Sequence, residues 1–144
     1  MRTLGSIIGS REAYTIKSGT LVMNAVLFMT EKNIGAVAVL DEHNKLVGLF
    51  SERDLMKRVV AVYKDPAKVF IDDVMTKSLM TAEPETPFNV ALNKMKEMNI
   101  RHMPVVKDKI LIGMISIRDL MELETQTKEE EIQYLNQYYG MNAV

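Results

Sequence analysis

The strongest constraint on this chain is an internal repeat. Asn33-Ile34 precedes an apolar run ending in Val39-Leu40, and Asn99-Ile100 precedes one ending in Val105-Val106, a shift of 66 residues. Gly48-Leu49-Phe50-Ser51-Glu52-Arg53-Asp54-Leu55-Met56 matches Gly113-Met114-Ile115-Ser116-Ile117-Arg118-Asp119-Leu120-Met121 at a shift of 65. The one-residue difference falls in the intervening turn, where residues 41–45 face the shorter 107–109. Going backwards, Thr15, Thr20, Val22, Ala25, Val26 and Met29 align with Thr81, Thr86, Phe88, Ala91, Leu92 and Met95, again 66 apart. Self-similarity in one register marks a structural unit used twice. The units span residues 13–61 and 79–124, with a lead at 1–12, a linker at 62–78 and a tail at 125–144.

Each unit reads as strand, helix, strand, strand, helix. A short extended piece (13–16; 79–82) precedes a helix with apolar residues at 22, 25, 26, 29 and 88, 91, 92, 95, the i, i+3, i+4, i+7 stripe. Thr20 and Thr86 stand where N-caps belong, and Pro87 at the first helical position. Two short apolar runs around a polar turn read as a hairpin (36–40 with 46–50; 103–106 with 110–115), and a second helix follows Ser51 and Ser116. The fold class is therefore mixed α and β. A unit of about 50 residues lies near the lower limit for independent folding, so the copies are expected to pack face to face about a pseudo-two-fold axis. Pro66 and the 72–76 segment suggest a partly ordered linker. The tail, 128–139, carries Ile132, Leu135 and Tyr139 on one side and Glu129 to Glu131 opposite, an amphipathic helix needing cover from its own domain or a partner.

Composition narrows the chemistry. The 144 residues are 47% hydrophobic and 26% charged, which excludes wholesale disorder. A net charge of −1 argues against a nucleic-acid binder. With no cysteine there is no disulfide framework, zinc finger or thiol nucleophile, and two histidines do not make a His-rich metal site. Aromatics are scarce at 6% and methionines number 12, so the core is aliphatic and methionine-filled. Met23, Met29, Met95 and Met98 fall on or beside the helical stripes as such filler. The first ten residues are too short an apolar stretch for a signal-peptide core, and no apolar run approaches the roughly 18 residues of a spanning helix. The expectation is a cytoplasmic protein with no membrane partner.

The motif that could carry chemistry is Gly-x-x-Ser-x-Arg-Asp, present as Gly48 to Asp54 and Gly113 to Asp119. Two readings coexist. Ser51 and Ser116 can be N-caps with Asp54 and Asp119 at the third helical position, a capping box. Equally, a helix start attracts phosphate, serine and arginine can grip it, and the aspartate suits the vicinal hydroxyls of a ribose, with Gly48 and Gly113 admitting a close approach. A second cluster, Arg101-His102, reads either as a surface arginine with an ordinary histidine or, from its place at the start of an inner strand beside the cleft, as phosphate contacts, whereas its counterpart Gly35-Ala36-Val37 carries no charge. His43 in the hairpin turn reads as solvated, as do Lys57 and Arg58 one turn beyond the first motif.

The doubled unit, with Asn-Ile-Gly-Ala-Val-Ala-Val, Leu-Val-Gly-Leu-Phe-Ser-Glu-Arg-Asp, Ile-Arg-His-Met-Pro-Val-Val and Ile-Gly-Met-Ile-Ser-Ile-Arg-Asp-Leu, resembles a cystathionine-β-synthase (CBS) domain pair of the short stand-alone bacterial type, over about residues 4–140. The resemblance implies a sensor of adenosyl ligands: AMP, ADP, ATP, NAD(H) or S-adenosylmethionine, bound between the repeats. By that resemblance Asp54 and Asp119 would hold ribose. Ser51, Ser116, Arg53, Arg101 and His102 would meet phosphate. Thr15, Ile16, Thr81 and Ala82 would give backbone contacts to adenine, walled by Ala36, Val37, Met103 and Pro104. Relatives often carry glycine where this chain has Arg118, which could add a phosphate contact or crowd the second site. Such pairs dimerise, and a lone sensor acts on an effector protein in trans.

A non-catalytic regulatory module is thus the leading expectation, with no catalytic cofactor. A structural or protein-interaction dimer that has lost its ligand is the alternative. An enzyme is disfavoured because no nucleophile–base pairing, metal spacing or Gly-rich phosphate loop is present.

Overall fold

The computed structural model describes residues 2–140. A short helix α1 (Leu4–Ile8) precedes the first unit, which runs β1 (Thr15–Lys17), α2 (Val22–Lys32), β2 (Ala36–Leu40), β3 (Leu46–Ser51) and α3 (Glu52–Leu55). α3 continues as a π-helical turn, Met56–Val60, and a 3₁₀ turn at Ile71–Asp73 lies in the linker. The second unit comprises α4 (Phe88–Met98), β4 (His102–Lys107), β5 (Ile110–Ser116) and α5 (Ile117–Tyr138). The fold is two tandem repeats of mixed helix and strand, as the sequence period implies.

The first sheet has order β1-β2-β3, with β1 parallel to β2 (Thr15 opposite Ala38) and β2 antiparallel to β3. Among the described residues the second sheet has only β4 and β5. The strand expected at 79–82 shrinks to one parallel bridge, Ala82 to Val105. The cause is Pro104. It stands where the first unit has Ala38, and it has no N–H to offer a ladder partner. What remains is Ala82 N–H to Pro104 O at 3.0 Å and Val106 N–H to Ala82 O at 2.8 Å.

Shared turn chemistry explains the repeated residues. Asn33 and Asn99 end their helices in the left-handed conformation (φ 54° and 53°). The following Ile34 and Ile100 N–H groups reach back to Met29 O and Met95 O, both at 3.0 Å. That is the six-to-one bond of a Schellman ending, in which Asn tolerates positive φ. Both hairpins carry an irregularity at matching points, Val39/Leu40 and Val105/Val106. The loops differ. In the first, the Asp41 carboxylate accepts from His43 and Lys45 N–H. In the second, Asp108 and Lys109 both have positive φ, the two-residue turn that matches strand twist.

The two units exchange flanking segments. Ile71, Val74 and Met75, from the linker, lie in the first unit's core with Val22, Ala25, Val37, Phe50 and Val59. Leu4 and Ile8, from the lead, lie in the second core with Leu92, Met95, Met103, Val105, Ile115 and Leu120. The bonds match pair by pair. Ile71 N–H donates to Thr20 O and Leu4 N–H to Thr86 O, at 2.8 and 2.9 Å. Val22 N–H donates to Val69 O and Phe88 N–H to Arg2 O, at 2.9 and 3.0 Å. Segment 2–8 is therefore the counterpart of 69–75, with each packed on the unit that does not follow it.

This exchange corrects the expected N-caps. The caps of α2 and α4 are Leu21 and Pro87, one residue past the threonines, and neither makes a side-chain cap. The exchanged backbone supplies carbonyls to the first helical N–H groups instead, so no capping oxygen is needed. The Thr20 hydroxyl donates to Lys17 O at 2.6 Å.

The second helix of unit two and the tail form one continuous α5 of 22 residues, with no Gly or Pro inside it. Its own domain leaves the far end uncovered: Ile132, Tyr134, Leu135, Tyr138 and Tyr139 are all exposed.

Candidate functional site

Both Ser-x-Arg-Asp motifs form complete capping boxes. Asp54 N–H donates to Ser51 Oγ at 3.3 Å and Ser51 N–H to Asp54 Oδ2 at 3.0 Å. Asp119 N–H donates to Ser116 Oγ at 3.1 Å and Ser116 N–H to Asp119 Oδ2 at 3.3 Å. Glu52 N–H reaches Gly35 O and Ile117 N–H reaches Arg101 O, so each helix start is tied to the residue just before its own unit's inner strand, and in the second unit that residue belongs to the Arg101-His102 cluster.

Beyond the shared box the copies diverge. The Asp54 side chain is 6% exposed and that of Asp119 is 37%. Asp54 Oδ2 also accepts from the Ser51 hydroxyl at 3.2 Å, and Oδ1 accepts from the Thr76 hydroxyl at 3.1 Å. Arg58 Nε lies 3.8 Å from Oδ1, while its Nη1 donates to Val74 O and Met75 O at 3.2 and 3.0 Å. Arg58 is exposed as expected and in addition ties the linker to the motif. Both oxygens of Asp54 are thus committed within the protein. For Asp119 the only further partner among the described residues is Arg11 Nη1, 3.8 Å from Oδ2.

A cleft of about 1640 Å³ opens between the repeats on the Asp119 side. Of the residues singled out from sequence, Ala36, Arg101, His102, Ser116, Arg118 and Asp119 line it. Thr15, Ile16, Ser51, Arg53, Asp54, Thr81, Ala82 and Pro104 do not. Val37 and Met103 do not wall it either, because strand alternation turns both into the hydrophobic cores. Gly48 serves internal packing, while Gly113 lines the cleft and also packs on the lead segment. A Cβ at Gly48 would meet Met75 Cγ at 2.8 Å, and one at Gly113 would meet Ile8 at 3.0 Å. These are matching contacts of the two exchanged segments.

The cleft adds residues that sequence reasoning passed over. Arg11, Glu12 and Tyr14 precede β1 and face the cleft, as do Ile34, Gly35, Glu52 and Met114. Position gave a signal for the first group, which adjoins Thr15. Glu52 was hidden as the spacer of the motif. Tyr14 is braced edge-on against Phe28 with ring centres 6.2 Å apart, and Lys32 sits 5.4 Å over its face. The walls are mixed: Tyr14, Ile34, Ala36 and Met114 contribute apolar surface, and Arg101, His102, Ser116 and Asp119 polar surface. Burial holds His102 below the ordinary imidazole range, with Arg101 adding to this, while Glu52 and Asp119 pull the other way. The ring is therefore neutral at pH 7 and offers one donor and one acceptor.

The CBS domain profile matches residues 4–61 and 71–125. The chain belongs to the CBS domain family. Both matches take in an exchanged segment, 4–8 and 71–75, at their N-terminal ends. The mitochondrial CBS domain-containing protein CBSX3 of Arabidopsis thaliana is 37% identical over 121 residues, covering 81% of this chain and 59% of that protein. The chain spans just over half the length of this and of an archaeal relative from Methanopyrus kandleri. Among solved structures, the CBS domain of NE2398 is 28% identical with a TM-score of 0.80, covering 87% of this chain and 99% of that one. The CBS domain pair of MJ0100, crystallised with 5′-methylthioadenosine and S-adenosyl-L-methionine, is 27% identical with a TM-score of 0.79 over 88% of this chain and 98% of that one. Some relatives are enzymes that carry CBS domains, such as an inosine-5′-monophosphate dehydrogenase of Nitrosopumilus maritimus. No helix among the described residues is long and apolar enough to cross a membrane.

Proposed function

We propose that this CBS pair is a non-catalytic regulatory module that binds one adenosyl ligand per chain in the cleft at Asp119. The observation that carries this reading is the asymmetry of the two motifs, an open Asp119 beside a large cleft against a buried, fully partnered Asp54. Adenine fits the apolar surface of Tyr14, Ile34, Ala36 and Met114. Asp119 takes ribose hydroxyls, for which an acceptor-only carboxylate is suited. Ser116, Arg101, His102 and Arg118 meet a 5′ substituent, arginine being the side chain best matched to phosphate or carboxylate. AMP, ADP, ATP, NAD(H) and S-adenosylmethionine share this chemistry, and the ligand pair of MJ0100 supports the adenosyl class. The Asp54 site, including Arg53, Thr81 and Ala82, stays empty in this reading. Isothermal titration of the full chain with AMP, ATP, NADH, S-adenosylmethionine and 5′-methylthioadenosine tests it. Saturable binding of at least one supports it, and no binding of any up to millimolar concentration overturns it.

The exposed apolar end of α5 favours a second reading alongside the first: the chain pairs with another copy of itself. Output then passes to an effector protein in trans. Sedimentation of the full chain showing a monomer at micromolar concentration would contradict the pairing.

A further inference from the structure

Glu52 is the first residue of α3, in the first unit, and its side chain lines the cleft close to His102 of the second unit. Its N–H is anchored to Gly35 O at 3.0 Å. A Cβ at Gly35 would meet Glu52 Oε1 at 2.9 Å and His102 Cε1 at 3.8 Å, so the carboxylate and the imidazole flank the same glycine. Glu52 is exposed to the cleft and has no ion pair among the described residues. Its counterpart in the second motif is Ile117, and that of Gly35 is Arg101, so this negative charge breaks the pseudo-symmetry of the site. His102 feels the negative charge of both Glu52 and Asp119.

We infer that Glu52 sets the charge preference of this site, disfavouring adenosyl ligands with a polyanionic 5′ group and favouring those whose 5′ group is cationic or uncharged. The inference rests on the adenosyl reading above. In that reading the 5′ substituent meets Arg101 and His102, and the Glu52 carboxylate lies beside His102 at Gly35. Arg101 and Arg118 there suit one or two anionic groups. A chain of phosphates has to run past Glu52, where a neutral His102 supplies no compensating charge. Like charges so placed repel, and the repulsion grows with each further phosphate. A sulfonium or ammonium at the same place is attracted.

The test is titration calorimetry on the full chain and on Glu52→Gln, in buffer with a chelator so that no divalent cation masks the charge. The probes are ATP, AMP, 5′-methylthioadenosine and S-adenosylmethionine. Glu52→Gln is expected to strengthen ATP binding by about fivefold or more, an exposed-charge effect summed over several phosphates. It should weaken S-adenosylmethionine, leave 5′-methylthioadenosine within about twofold, and give differences that shrink as salt rises. If all four ligands shift together, or none shifts while the wild type binds, the role of Glu52 is overturned and the adenosyl reading survives. If the wild type binds none of the probes, both fall.

Discussion

Asp54 and Asp119 hold the same position in two copies of one motif, yet one is sealed and the other faces a cleft. The difference lies in what the flanking chain brings: Thr76 and Arg58 to Asp54, and only Arg11 to Asp119. Asp54→Ala strips a buried network of its acceptor, and is expected to destabilise the fold by about 2–4 kcal/mol in chemical denaturation. Asp119→Ala loses the carboxylate half of a capping box and is expected to cost about 1 kcal/mol, while abolishing ligand binding. His102 gives a pH prediction. Its folded-state pKa is depressed, chiefly by burial, so the unfolded chain binds more protons as pH drops through the ordinary value of about 6.5. Stability should therefore fall on acidification below that value, and His102→Gln should flatten the denaturation midpoint against pH between about 7 and 5. The motif was legible in the sequence, but its division of labour was not. Serine, arginine and aspartate read alike in both copies, and the deciding partners sit 22 residues away at Thr76 and 108 residues away at Arg11.

At the level of elements, the repeat was legible in its helical stripes, hairpins and Asn-Ile helix endings. The exchanged segments were not, because 2–8 and 69–75 share only an apolar pattern, Thr3-Leu4-x-x-Ile7-Ile8 against Phe70-Ile71-x-x-Val74-Met75. Each also packs on the more distant unit in sequence. Pro104 likewise removed a strand that periodicity alone predicted. If the exchange completes both cores, Met75→Ala and Leu4→Ala should each lower stability by about 2–4 kcal/mol, as for other buried large-to-small changes. Gly48→Val should be destabilised as well, since its added carbons overlap Met75. Proteolysis or denaturation showing Leu4→Ala as stable as the parent would contradict the exchange. Charging the far end of α5, as in Leu135→Glu, should dissociate a dimer in sedimentation without loss of helix content.

For the whole molecule, the two units depend on each other's flanks, so unfolding is expected in one cooperative transition rather than two. The same arrangement gives the cleft walls from both repeats, with Gly35, Ala36 and Glu52 from one and Arg101, His102 and Asp119 from the other. A ligand seated there contacts both, and can bias how they sit together by its differential affinity for two arrangements. A near-neutral net charge is compatible with this, because the cations that meet the ligand are few and local. The most direct test of the account is titration of the full chain, Asp54→Asn and Asp119→Asn with 5′-methylthioadenosine and AMP. The account predicts one site per chain, retained in Asp54→Asn and lost in Asp119→Asn. Two sites per chain, or binding that survives Asp119→Asn and disappears with Asp54→Asn, would contradict it.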